Sequence, residues 1–133
     1  MSEGEREGES QRWLRYAREN LQLAQRVLER REDAPRQACF LAQQSAGKAI
    51  KALLVLAGVD FPKTHDLNRL AGLLPEGSSA PAAQADLSSL SHWAVEARYP
   101  HDVGDASWDD AERAVTRAAQ VFGRISQDFG SRA

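Results

Sequence analysis

From Ser10 to Arg31, apolar residues fall at Trp13, Leu14, Ala17, Leu21, Ala24, Val27 and Leu28, with Arg15, Arg18, Gln22, Arg26 and Glu29 between them. This spacing has the period of an α-helix and predicts a first helix with one apolar side. Asp33-Ala34-Pro35 breaks the pattern, and Pro35 suits the first turn of a second helix that runs to Ala57, where Gly58 is the natural stop. After the connector Val59 to Lys63, Thr64 is placed to cap a short third helix through Leu74, with Asp66 in its first turn opposing the positive end of the helix dipole. Pro75 to Pro81, with Glu76-Gly77-Ser78-Ser79 inside, has the composition of a flexible loop. A fourth helix from about Ala82 to Ala97 sets Leu87, Leu90, Ala94 and Ala97 on one side and stops before Pro100. The fifth begins at Ser107, whose spacing to Asp110 fits a capping box, and runs to about Phe129. Its apolar side carries Trp108, Ala111, Ala114, Val115, Ala118, Val121, Phe122, Ile125 and Phe129, opposite Arg113, Thr116, Arg117, Gln120 and Arg124.

No segment alternates apolar and polar residues for long enough to argue a strand, and there is no internal repeat. The expected fold is therefore all-α, a four- to five-helix up-and-down antiparallel bundle with sequential packing. The 133 residues, 42% of them hydrophobic, suffice for one core and not for two, so residues 10–133 are expected to form a single domain. Residues 1–9 alternate acids with small residues and lack the basic start and apolar stretch of a signal peptide, so they are expected as a disordered acidic tail. A net charge of -2 gives no overall field, and any nucleic-acid site would have to be a local patch. No apolar run approaches the ~20 residues of a membrane span. The lone cysteine, Cys39, lies between Ala38 and Phe40 like a small core residue, and this usage fits a reducing cytoplasm.

Three groups of residues bear on chemistry. On a helical wheel Gln44, Lys48 and Lys51 occupy one narrow arc, where their donors could meet a phosphate or a partner's carboxylate, or form an ordinary solvated face. Gln43 points instead with Cys39, Ala46 and Ile50, and there a buried amide needs partners from another helix or a second subunit. Arg98-Tyr99-Pro100-His101-Asp102 follows the fourth helix. Arg98 emerges at the margin of its apolar side, facing a cleft or dimer seam, or else capping its own helix or pairing with Asp102 or Asp105. His65-Asp66, His92 and His101-Asp102 resemble the ligand types of metal-dependent phosphohydrolases on helical folds. Capping and exposure account for them as well, so no metal ligand and no cofactor are assigned. No phosphate-cradling glycine loop and no serine or cysteine nucleophile signature is present.

The stretch Cys39-Phe40-Leu41-Ala42-Gln43-Gln44-Ser45-Ala46-Gly47-Lys48-Ala49-Ile50-Lys51-Ala52-Leu53-Leu54, then His65-Asp66-Leu67, then Arg98-Tyr99-Pro100, resembles the HEPN domain family, the nucleotide-binding domain of higher eukaryotes and prokaryotes. The likeness spans roughly Gln11 to Phe129. It implies a helical bundle that forms homodimers, is encoded beside a minimal nucleotidyltransferase in a toxin–antitoxin-like pair, and associates with nucleotide or RNA. Many relatives are toxins that cut RNA without metal, using an arginine followed, after several residues, by a histidine.

The chain departs from that pattern in three places. His101 follows Arg98 after only Tyr99 and Pro100, which alters the relative placement of a proton acceptor and a charge-stabilising cation. Val103 stands where some toxins carry a tyrosine that the partner enzyme modifies. Gly47 stands where relatives carry a glutamate beside the lysine matched by Lys48, which means a close helix approach or a lost polar contact. The expectation is a non-catalytic, dimeric binding module acting with a nucleotidyltransferase, its polar cleft drawn from Gln44, Lys48, Lys51, Arg98, Tyr99 and His101. The alternatives are a metal-independent ribonuclease toxin using Arg98 and His101, and a metal-dependent phosphohydrolase using the His-Asp pairs.

Overall fold

The computed structural model describes residues 1–32, 34–78, 84–96 and 105–132. Five helices follow one another: α1 (Glu3–Arg30), α2 (Pro35–Ala57), α3 (Leu67–Ala71), α4 (Gln84–Glu96) and α5 (Trp108–Arg132). Among the described residues there is no strand. No helix of these is long and apolar enough to cross a membrane.

The direction of packing can be read from named pairs. Ser45 and Lys51 of α2, and Gly58 just past it, meet Ala17, Trp13 and Arg6 of α1, so the α1 position falls as the α2 position rises and the two helices are antiparallel. Arg31, just past α1, lies over Trp108, and Arg18 over Phe122, so α5 is also antiparallel to α1. The central element is α2, which packs against all four others. Its composition fits that position: Ala38, Ala42, Ala46, Ala49 and Ala52 are fully buried and let neighbouring helices come close, while Ile50, Leu53 and Leu54 fill the space between. From the other elements come Leu14, Leu21, Leu67, Leu70, Leu87, Leu90, Val121 and Ile125. Each such side chain gains about 1.5–3 kcal/mol on leaving water.

The helix ends follow local chemistry. Pro35 opens α2, and Gly58 closes it in the left-handed region at φ 72° with its N–H on the last-turn carbonyls. Ser107 Oγ accepts the N–H of Asp110 at 3.0 Å while the Asp110 carboxylate accepts the N–H of Ser107 at 2.9 Å, a reciprocal cap that starts α5.

In the structure α1 begins at Glu3, inside the acidic segment of residues 1–9. Ser2 caps it by accepting the N–H of Glu5 at 3.1 Å, and Glu3 and Glu5 oppose the positive end of the dipole. The alternating acids that argue against a signal peptide are thus the residues suited to a helix start. The third helix is capped by Asp66, not Thr64: the Asp66 carboxylate accepts from the N–H groups of Asn68 and Arg69, while Thr64 Oγ1 accepts the N–H of Asp66. A shorter helix results, followed by turns at Gly72 and Leu73. The loop read over Pro75–Pro81 is described only to Ser78, whose N–H returns to the Pro75 carbonyl. Its remainder lies outside the described residues.

Candidate anion-binding site

The antiparallel α1–α2 hairpin exposes a seam in which Gln44, Lys48 and Lys51 of α2 run beside Trp13, Tyr16 and Asn20 of α1. All three α2 residues are half-buried. Lys48 Nζ donates to Asn20 Oδ1 at 2.7 Å. Lys51 Nζ stands 5.5 Å from the centre of the Trp13 ring and 5.8 Å from that of Phe61, two cation–π contacts from different elements. The rings meet edge to face, 6.5 Å apart at 76°. Among the described residues neither ammonium has a carboxylate within ion-pair distance.

Burial disfavours charge at both lysines. The Lys48 pKa is lowered chiefly by desolvation, against the opposing pull of Glu19 and Tyr16. The Lys51 pKa is lowered by desolvation and then by the like charge of Lys48. Two adjacent, partly desolvated cations set a positive local potential to which an anion is attracted.

Gln43, fully buried, finds its partners within the chain: its Nε2 donates to the His65 carbonyl at 3.2 Å, and its Oε1 accepts from Gln44 Nε2 at 2.8 Å. It thereby fixes both Gln44 and the connector that carries Phe61. Gly47 is explained by close approach, since a methyl group there would meet Leu67 Cδ2 at 3.3 Å. Trp13 and Phe61 are absent from the sequence-derived set. The spacing Trp13, Tyr16, Asn20 marks one stripe of α1, but only the hairpin register places it beside the lysines.

Arg98, Tyr99 and His101 lie outside the described residues, so Gln44, Lys48 and Lys51 are the members of the expected cleft that the structure brings to one side. A separate hollow of about 620 Å³ opens between α4 and α5, lined among others by His92, Trp93, Asp105, Arg113 and Arg117. None of its described lining residues comes from α2. His92 packs against Trp93 at 4.9 Å, and Asp66 is engaged as the α3 cap. Among the described residues no three or more His, Cys, Asp and Glu gather where they could hold a metal ion.

A small all-helical bundle organised around one central helix is the class that this architecture defines. The family model for the HEPN domain matches residues 10–127, and the chain belongs to that family. Of solved structures, TT1696 from Thermus thermophilus is similar at a TM-score of 0.73 and 28% identity, covering 89% of this chain and 96% of its own. ST0689, described as an archaeal HEPN homologue, is similar at a TM-score of 0.69 and 22% identity, with 90% and 96% covered, a likeness of fold. No curated protein matches the chain significantly.

Proposed function

We propose that residues 10–133 form a HEPN module that homodimerises, binds an anionic group of a nucleotide or RNA, and acts in the cytoplasm with a minimal nucleotidyltransferase in a toxin–antitoxin-like pair, without catalysing a reaction of its own. The observation that carries this reading is the pair Lys48 and Lys51, half-buried side by side with no carboxylate at ion-pair distance among the described residues. Gln44 adds a polar group to the same stripe, and Arg98, Tyr99 and His101 are the proposed complement from the segment after α4. The shortened spacing from Arg98 to His101 supports a binding role over ribonuclease chemistry.

Two measurements test the proposal. Calorimetry with inorganic triphosphate should show binding to the protein, weakened by Lys48→Gln and by Lys51→Gln. Tagged protein drawn from its host should bring a nucleotidyltransferase with it. No triphosphate binding together with no such partner would refute the reading. RNA cleavage that persists in chelator and is lost in Arg98→Ala would replace it with the ribonuclease alternative.

A further inference from the structure

We infer that the hollow where the start of α1 meets the end of α2 binds a free α-amino acid with a large apolar side chain, holding its carboxylate, its ammonium and that side chain at once. The inference goes beyond the anion-binding reading and does not rest on it, since neither Lys48 nor Lys51 lines the hollow. Its volume of about 510 Å³ is that of a small-molecule site. Part of its wall comes from residues 1–9, which lie outside the family match over residues 10–127. Because α1 starts at Glu3, Arg6, Glu9 and Trp13 fall at i, i+3 and i+7 on one side of a continuous helix. One side of α1 thus offers a cation, a carboxylate and an aromatic ring, each about one turn from the next.

The end of α2 and the connector after it complete each part. The Arg6 stem lies across the end of α2, where a Cβ at Gly58 would stand 3.7 Å from Arg6 Cδ and Nε, and the negative end of the α2 dipole favours the guanidinium there. Arg6 Nη1 donates to the Met1 carbonyl at 3.0 Å, and the rest of its donor fork suits a carboxylate. Asp60 joins Glu9 on the lining, and two carboxylates attract an ammonium. Among the described residues Arg6, Glu9 and Asp60 form no ion pair, although Arg6 and Glu9 stand one turn apart with opposite charges. Both signs of charge are therefore open to a ligand that carries the complementary pair on one carbon. Trp13 and Phe61, with rings at 76° to each other, make an apolar corner that Val55 and Val59 extend. An apolar side chain leaves water in that corner, while the charged groups on its α-carbon stay beside the half-buried Arg6 and Glu9. A peptide end carries only one of the two charges and a polyamine has no carboxylate, so neither matches all three parts.

The test is an amide NMR titration of the full chain at about pH 6, below the α-amino pKa of about 7.7, with L-phenylalanine, L-phenylalaninamide, N-acetyl-L-phenylalanine and L-alanine. L-Phenylalanine is expected to shift residues 6–13 and 55–61 saturably. The other three lack in turn the carboxylate, the ammonium and the large side chain, and each should bind at least about tenfold more weakly. Arg6→Gln should weaken L-phenylalanine by about tenfold and leave the weak binding of the amide unchanged, because the amide has already lost the group that Arg6 holds. Glu9→Gln combined with Asp60→Asn should weaken L-phenylalanine likewise and leave N-acetyl-L-phenylalanine unchanged. Away from residues 1–13 and 55–61 the spectra of both variants should match that of wild type, which keeps lost binding distinct from lost fold. No saturable shift with L-phenylalanine, or shifts centred elsewhere, would overturn the inference. So would equal affinity for L-phenylalanine, its amide and its N-acetyl derivative, or a loss in either variant that is the same for every ligand.

Discussion

The buried side-chain amide of Gln43 donates to the backbone carbonyl of His65 at 3.2 Å, so a residue in the middle of the central helix holds the connector that carries Phe61. Replacing Gln43 with leucine keeps the volume close to native but strands that carbonyl and the Gln44 amide. Gln43→Leu is expected to cost about 1–3 kcal/mol in urea denaturation. Amide hydrogen exchange over residues 59–66 should quicken by more than the global loss accounts for. Unchanged protection in the connector would show that the bond does not anchor it.

Gly47 and Leu67 make a second, steric relationship. A Cβ at position 47 would stand only 3.3 Å from Leu67 Cδ2, and Leu67 is fully buried with its own N–H held by Ser91 Oγ at 2.9 Å. Gly47→Val is expected to destabilise by about 1–3 kcal/mol through overpacking. In the background Leu67→Ala, which opens that space, the same change should cost less, with a coupling of about 0.5–3 kcal/mol in a double-mutant cycle. Additive effects would mean that the glycine is there for another reason.

These two pairs also show what is legible in the chain and what is not. The α2 pattern that buries Gln43 and turns Gln44, Lys48 and Lys51 toward the seam follows from helical period alone, because side-chain direction repeats with a fixed angle per residue. The partners do not follow. His65, Leu67, Trp13 and Phe61 reach α2 through loop geometry and hairpin register, which depend on contacts distant in sequence. Asp66 shows a finer limit: Thr64 and Asp66 are both good capping residues, and the choice between them is decided by which side chain meets the free N–H groups of Asn68 and Arg69. The N-terminal acids read as a tail because they lack an apolar face, while Ser2 and two glutamates of the first turn favour helix initiation.

The reciprocal cap of α5 gives a pH-dependent prediction. The Ser107 N–H donating to the Asp110 carboxylate holds its pKa below the usual carboxylate value, against an opposing effect of desolvation and with help from the Ser107 hydroxyl and Arg113. A group whose pKa is lower in the folded state contributes stability that is complete above its unfolded pKa, about 3.9, and is lost as pH falls through the folded value. Ser107→Ala should cost about 1 kcal/mol at neutral pH. Asp110→Asn should lower the thermal midpoint at neutral pH, and the gap from wild type should close as the pH drops below about 3.9. A gap independent of pH would assign the loss to packing and not to the carboxylate.

Lys51 has the opposite linkage. Its pKa is lowered in the folded protein by burial and by Lys48, so between the folded value and the unfolded one, about 10.4, the unfolded chain binds more protons. Stability contributed by this group is therefore poorest at neutral pH, where the half-buried ammonium stays charged, and improves as pH rises toward about 10.4. Lys51→Met keeps an unbranched side chain against Trp13 and Phe61 and removes the charge. The difference in unfolding free energy between wild type and Lys51→Met should shift in favour of wild type as pH is raised from 7 toward that limit, when each is followed by urea denaturation at matched ionic strength. Saturating inorganic triphosphate should raise the wild-type midpoint at pH 7 and leave that of Lys51→Met nearly unchanged, because only the wild type offers the paired cations. A difference flat with pH would mean that the ammonium is as well solvated in the fold as in the open chain, and the physical basis for anion recognition at the α1–α2 seam would be gone.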